Sequence, residues 1–153
     1  MNARIRILIA DMASDEDQIA QIYDRLSIYA ESPTDDQDVI VVGYYLHNLY
    51  TAFEHLSSLV AAAFENQIED RSQWHALLLR RMAQPVEGIR PRLFSEQTYY
   101  CLNELRGFRH VFRSAYTVRL DPNRLRLVFE KAKELQTLYL QDLARFKAFL
   151  ESL

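Results

Sequence analysis

The segment "RGFRHVFRSAY", residues 106 to 116, holds the side chains of this sequence best suited to chemistry on a negatively charged group. Spacings of three, four and seven place its polar members on one face of a helix, namely Arg106, Arg109, His110, Arg113 and Tyr116. No acidic residue lies between them, although like charges at such spacings repel by roughly a few tenths of a kcal/mol per pair. Two interpretations stay open at this point: an anion-binding site or a solvated helix face.

RNA is a ligand whose chemistry these side chains could serve. Arginine binds phosphate through two parallel hydrogen bonds and stabilises the charge that grows in a phosphoryl-transfer transition state. Histidine moves protons near neutral pH, and adjacent arginines tend to keep it neutral, as a base should be. Attack by a ribose 2′-hydroxyl on its own phosphate needs no metal.

The remaining histidines and their nearest carboxylate show no spacing of a known metal motif. They are His47, Glu54, His55 and His75, with His110 in the segment above. The sequence therefore predicts no metal and no other cofactor. His47 and Glu54 are seven positions apart on an otherwise apolar helix, with Tyr50 between them, and two interpretations of them stay open. They fix helix packing through buried hydrogen bonds, or they support the arginine face (Arg106, Arg109 and Arg113) from a neighbouring helix.

The length and composition are those of a globular protein with one domain, which we assign to residues 1–153. No run of apolar residues is long enough to span a membrane. The first residues lack a signal-peptide cleavage site, so we expect a mature cytoplasmic N-terminus. The single cysteine, Cys101, is expected to be a small core side chain, as suits a reducing compartment.

The formal net charge of −3 conceals an uneven distribution. Residues 1–79 hold thirteen acidic residues and four arginines, whereas residues 80–126 hold ten arginines and four acidic residues. Two interpretations follow. The basic segment binds a polyanion, or it packs against the acidic segment within the fold or across a dimer.

The apolar pattern is helical throughout, with few glycines and with prolines at the boundaries. It predicts helices over about 3–30 and 36–65, the second apolar on almost all sides and therefore central. Thr34 and Gln37 are spaced as a capping box for the second helix, and Asp70 precedes a short third helix that ends before Pro85. A fourth helix runs from the cap Ser95 to about Tyr116, and a fifth from Asp121-Pro122 to the end. We predict an all-α fold, a five-helix up-and-down bundle.

Three stretches of the chain resemble the HepT-like ribonuclease toxins of the HEPN superfamily. They are "YYLHNLYTAFEHL", "WHALLLRRMAQPVEGIRPRLFSEQTYYCLNELRGFRHVFRSAY" and "LDPNRLRLVFEKAKELQTLYLQDLARFKAFL", and together they cover most of the sequence. The resemblance implies an all-helical toxin of a type VII toxin–antitoxin system, encoded beside a nucleotidyltransferase antitoxin.

The family's catalytic signature is an arginine, four residues, a histidine, one residue and a tyrosine. Arg109 matches the arginine and Tyr116 the tyrosine, but Ser114 stands where the signature has histidine. A serine hydroxyl does not titrate near neutral pH and cannot act as the general base or acid. Three explanations stay open: the chain is an inactive natural or engineered variant, His110 has taken over the role, or the helix is irregular at this point.

The resemblance also implies partners. Two subunits would pair so that both signatures face one cleft, and the antitoxin would transfer AMP onto Tyr116 and so block the RNA site. Without the resemblance, Tyr116 is an ordinary aromatic residue at a helix end.

We therefore expect a metal-independent endoribonuclease toxin that acts on cellular RNA, tRNA being one candidate, or an inactive form of it. Arg109 would bind the scissile phosphate with help from Arg106 and Arg113. The alternatives are a non-catalytic helical module that binds RNA or a partner protein through the arginine face, and a basic dimer seam without either role.

Overall fold

A computed structural model describes residues 1–29, 33, 35–65, 74–113 and 119–153 of the chain. Five α-helices occupy these ranges, and no strand is found in them: α1 Ala3–Leu26, α2 Asp36–Phe64, α3 Trp74–Met82, α4 Glu96–Arg113 and α5 Pro122–Glu151. The predicted all-α bundle is confirmed. The first helix is shorter than the predicted 3–30, because the chain turns after Leu26 and the Ser27 hydroxyl donates to the Asp24 carbonyl, 2.6 Å away.

The helix starts follow the predicted capping chemistry with one change. Asp121 caps α5 by accepting from the Asn123 amide at 3.0 Å, with Pro122 in the first turn as expected. For α2 the cap is Asp35, whose carboxylate accepts from the Gln37 amide at 2.7 Å. The predicted cap Thr34, like Asp70, lies outside the described residues.

Helix α2 is the central element, as its apolar sequence predicts, and it contacts all four other helices. Its fully buried side chains include Leu46, Leu49, Phe53 and Leu56. Cys101 of α4 is buried in the same core, and this burial raises the pKa of its thiol to about 11. The predicted core role of this cysteine is confirmed, and a thiolate nucleophile is not available at neutral pH.

The start of α4 is held by a buried carboxylate of α5. Asp142 accepts from the Ser95 amide at 3.0 Å and from the Thr98 hydroxyl at 2.5 Å, while the Ser95 hydroxyl accepts from the Thr98 amide at 3.2 Å. The predicted cap at Ser95 is thus present and is reinforced across the helix pair. Asp142 and Thr98 are both buried. The contacts between them therefore hold the first turn of α4 against α5.

The irregular segment between α3 and α4 is pinned by Arg90. Its guanidinium, fully buried, donates to the Glu65 carboxylate at the end of α2 and to the carbonyls of Gln84, Pro91 and Arg81. A buried charge requires such complete pairing.

Candidate functional site

The arginine face of α4, formed by Arg106, Arg109 and Arg113, lies on the last three turns of that helix. Arg106 is half-buried and donates twice to the Asn103 side-chain oxygen, at 3.0 and 2.9 Å. Arg109 is also half-buried, whereas Arg113 is exposed at the end of the helix. His110 is exposed one turn earlier. The arginine face is therefore partly buried at Arg106 and Arg109 and exposed at Arg113, where the helix ends.

Ser114 and Tyr116 lie outside the described residues. Helix α4 is described to Arg113, so the predicted extension to Tyr116 is not covered by the structure either. The assignment of these two residues continues to rest on the sequence signature.

Opposite the arginine face, α2 presents three polar side chains, His47, Tyr50 and Glu54. Their spacings of three and four place them on one side of the helix. The charges of Arg106 and Arg109 act on Tyr50, and those of Arg109 and Arg113 act on His47. The two polar sets therefore form one layer between α2 and α4, which is the arrangement expected if α2 supports the arginine face.

His47 is held beside this face by close packing of α2 against α4. Its ring centroid is 5.3 Å from that of Phe112, the residue before Arg113. The approach depends on Gly43, one turn earlier on α2, where an added Cβ would lie only 3.1 Å from the Phe112 ring. A larger residue at position 43 would require the Phe112 ring, and with it the neighbouring Leu120 side chain, to shift by a small distance.

His47 is neutral in this setting. Burial lowers the pKa of its imidazole, a hydrogen bond with Asn48 opposes the shift, and the positive charges of Arg109 and Arg113 add to it. A neutral imidazole can accept a hydrogen bond or a proton, whereas an imidazolium beside two guanidiniums would repel them. The arginine face thus keeps its full charge available for an anion.

The lowered pKa of His47 predicts a pH-dependent contribution to stability. The unfolded chain binds a proton at His47 near pH 6.5, roughly its ordinary pKa, but the folded chain binds it only at lower pH. The unfolded state therefore holds more protons in this window, and the free energy of unfolding falls as the pH falls from above 6.5 through the folded pKa. We expect His47→Gln to lack this component. Urea unfolding of both proteins between about pH 8 and pH 5 measures this component of the free energy of unfolding, because the ordinary pKa of histidine lies within that range.

The stability difference between wild type and His47→Gln should shrink steadily as the pH is lowered. At about pH 8 the ring of His47 is neutral in the folded and the unfolded state. The stability difference between the two proteins at this pH is therefore the reference value. A difference that is constant across the series would contradict the neutral state assigned to His47.

Glu54 forms the polar anchor of the layer. Its side chain is only 12% exposed and accepts from Nδ1 of His75 in α3 at 2.5 Å. Burial raises the pKa of Tyr50, and the charge of Glu54 and a hydrogen bond to it raise the pKa further. Glu54 thus links α2 to α3 through His75.

Two buried nitrogens in the layer have no hydrogen-bond partner within the described residues, Nε of Arg109 and Nε2 of His47. Buried polar atoms are normally paired, so an unpaired one in a native structure requires an explanation. Both atoms lie between α2 and α4, beside the arginine face. A ligand or water bound there, or a small movement of α4, would satisfy them.

The sequence indicated His47, Tyr50 and Glu54 as one set but missed two histidine pairs. One pair is His75 with Glu54. The other is His55 with Asp15 of α1, in which Nδ1 of His55 is 2.7 Å from Oδ2 of Asp15. Both pairs join different helices, so no local spacing could reveal them. Within the described ranges no group of three or more potential ligands is positioned to hold a metal ion. None of the described helices combines the length and apolarity that a bilayer crossing demands.

Comparison with known protein families shows what the chain is similar to. A family model described as HepT-like protein matches residues 41–150, which includes most of α2, all of α3 and α4, and nearly all of α5. No curated protein and no solved structure matches the chain significantly. The matched range contains the whole polar layer between α2 and α4. The chain therefore belongs to the HepT-like family of the HEPN superfamily.

Proposed function

We propose that this chain is the toxin component of a toxin–antitoxin system and that it binds RNA at the arginine face of α4. In an active form the same face would support metal-independent cleavage of cellular RNA, with tRNA as one candidate. The family assignment supports the proposal, and the resemblance implies a ribonuclease signature that begins at Arg109 of this face. RNA and a nucleotidyltransferase antitoxin, both expected in the cytoplasm, are the proposed partners.

The observation that carries the proposal is the half-buried Arg109, whose Nε has no partner among the described residues. A guanidinium offers five donors in a planar fork, and phosphate oxygens are acceptors of matching geometry. The lowered pKa of His47 favours a neutral ring beside Arg109, and a neutral ring can accept a hydrogen bond. In this proposal a phosphate engages the Arg109 guanidinium, and a small movement of α4 brings the buried Nε within reach, with Arg106 and Arg113 on either side along the helix.

The proposed reaction is transesterification followed by release of the cut strand. The ribose 2′-oxygen would attack the adjacent phosphorus, the bond from phosphorus to the 5′-oxygen would break, and a 2′,3′-cyclic phosphate would form. One proton leaves the 2′-hydroxyl for a base, and one reaches the 5′-oxygen from an acid. The arginines would stabilise the charge on the non-bridging oxygens. The proton transfers belong to the signature histidine, whose position is Ser114 in this chain.

Two further features are proposed with the toxin assignment. Two subunits would pair so that both arginine faces line one cleft. The antitoxin would transfer AMP onto Tyr116 and thereby add bulk and negative charge where RNA must bind.

Replacement of Arg109 tests the proposed RNA site. We expect Arg109→Ala to lower the affinity for single-stranded RNA about tenfold or more, because it removes charge-assisted hydrogen bonds to phosphate. The slope of log affinity against log salt should also flatten by about 0.7 for each phosphate that the variant no longer binds. Fluorescence anisotropy with a labelled oligoribonucleotide at several salt concentrations measures both quantities.

Arg6→Ala is the matched control for this substitution. Arg6 is an exposed arginine of α1, and α1 makes no contact with α4 within the described residues. The two variants lose the same charge, so general attraction of RNA changes equally. Equal losses of affinity in both, or no RNA binding by the wild type, would refute the RNA site.

A non-catalytic RNA-binding or partner-binding module is the second candidate, and Ser114 favours it. A serine hydroxyl supplies no proton transfer near neutral pH. This candidate shares the RNA affinity and the salt slope but predicts no cleavage by any variant of residue 114. RNA cleavage by the Ser114→His variant therefore distinguishes the two candidates.

A further inference from the structure

A groove of about 710 Å³ runs between α1 and α2, on the side of α2 that faces away from the buried core. This volume is within the range of about 300–1,000 Å³ that is usual for small-ligand sites. Six residues of α2 line it, and four of them follow one another at spacings of four, three and four, namely Tyr44, Asn48, Thr51 and His55. Helix α1 contributes the opposite wall, which includes Asp15, Gln18, Gln21 and Arg25. The arginine face of α4 does not contribute to it.

A carboxylate–histidine pair lies in this groove. Asp15 is buried, 9% exposed, and its Oδ2 is 2.7 Å from Nδ1 of His55, whose side chain is 64% exposed. Since a carboxylate can only accept, we assign the ring proton to Nδ1. That tautomer leaves Nε2 of His55 as an acceptor. The buried aspartate gains the hydrogen-bond partner that it needs and at the same time orients an exposed imidazole in the groove.

Aromatic and neutral polar groups make up most of the remaining lining. Tyr44 is 52% exposed, and its ring meets that of Tyr45 edge-on, with centroids 5.6 Å apart. The Tyr45 hydroxyl accepts from Arg25 at 3.5 Å. Three amide side chains add paired donors and acceptors: Gln18, Gln21 and Asn48. An exposed ring beside amide groups suits a nucleobase, which stacks on one and hydrogen-bonds to the other through its edge.

The groove and the arginine face flank the same helix. His47 and Asn48 are consecutive residues of α2: Asn48 lines the groove, whereas the ring of His47 lies against Phe112 of α4. An α-helix with its side chains is about 10–12 Å wide. A single strand that crosses α2 would therefore reach both surfaces, its phosphate on one side and a base on the other.

We propose that the α1–α2 groove is a base-binding subsite for single-stranded RNA, in which a base stacks on Tyr44 and is held at its edge by His55. The proposal rests on the proposed RNA-binding function. It adds a specificity element that lies outside the arginine face. Because the lining is largely uncharged, the subsite reads a base and contributes little to salt-dependent phosphate binding.

An abasic scan tests the subsite. Oligoribonucleotides that each lack one base are titrated into the wild type, Tyr44→Ala, Tyr44→Phe and His55→Ala. Loss of the stacked base should weaken wild-type binding about fivefold or more at one position. In Tyr44→Ala this positional loss should disappear, and affinity for intact RNA should fall by a similar factor, with the salt slope unchanged. Tyr44→Phe keeps the ring and should bind as the wild type does, whereas His55→Ala should bind less tightly.

Tyr100→Ala is the matched control, since Tyr100 is an equally exposed tyrosine, 58%, on α4 and outside the groove. RNA affinity that depends on Arg109 but not on Tyr44 or His55 would overturn the subsite and leave the proposed function standing. Failure of the wild type to bind RNA would overturn both. A change of oligomeric state in Tyr44→Ala by sedimentation, with unchanged RNA affinity, would assign the groove to a protein partner and overturn the base subsite.

Discussion

Ser114→His is expected to convert this chain into an active ribonuclease. The substitution completes the signature that begins at Arg109 and ends at Tyr116. General acid–base catalysis contributes about 10²- to 10⁴-fold to rates, so RNA cleavage should rise by at least the lower factor over wild type. Incubation of both purified proteins with total RNA in the presence of EDTA, followed by gel electrophoresis, measures the gain. Slowed growth of cells that express the variant gives an independent readout.

The gain should depend on the arginine face. In the Ser114→His background, Arg109→Ala should abolish the new cleavage, because the phosphate would lose its stabilising charge. Ser114→Gln supplies a large polar side chain that does not titrate and serves as the matched control. If Ser114→His cuts no better than Ser114→Gln, the acid–base assignment of position 114 is wrong and the non-catalytic candidate stands.

Glu65→Gln is expected to cause a large loss of stability at a position far from the arginine face. Glu65 is 4% exposed and Arg90 is fully buried, so the substitution would leave a guanidinium without its counter-charge inside the protein. Removal of one partner of a buried ion pair costs about 3–5 kcal/mol. The free energy of unfolding, measured by urea titration with circular dichroism at neutral pH, should fall by that amount.

An exposed ion pair provides the comparison. Glu130→Gln removes the partner of Arg126 on the surface of α5, where the two side chains are 47% and 41% exposed. Exposed pairs contribute about 0–1 kcal/mol, so this variant should unfold almost as the wild type does. Equal stabilities of the two variants would mean that Arg90 does not depend on Glu65 and that its backbone carbonyl contacts suffice.

Several elements of the fold are predictable because they depend on neighbours in sequence. The caps at Asp121 and Ser95 involve residues within three positions of each other, and the structure contains both. The predicted end of α1 is too late, because Ile28 and Tyr29 continue the apolar pattern after the helix has turned. The predicted cap of α2, Thr34, is one residue too early, because the cap in the structure is Asp35. Both residues carry a side-chain oxygen of the kind that caps a helix. Such errors arise where two residues of similar chemistry compete for one local role.

The sequence by itself determined the helical class, the arginine face of α4 and the serine at the position of the signature histidine, since each follows from residue identity and helical period. Only the tertiary structure decided what faces those arginines. The electrostatic effect of Arg109 on His47 and the hydrogen-bonded pairs Glu54–His75 and Asp15–His55 join residues from different helices. Their formation depends on how α2 packs against three neighbours, which is governed by buried apolar surface and by the close approach at Gly43. A one-dimensional period specifies which side of a helix is polar, but packing specifies which polar side it meets.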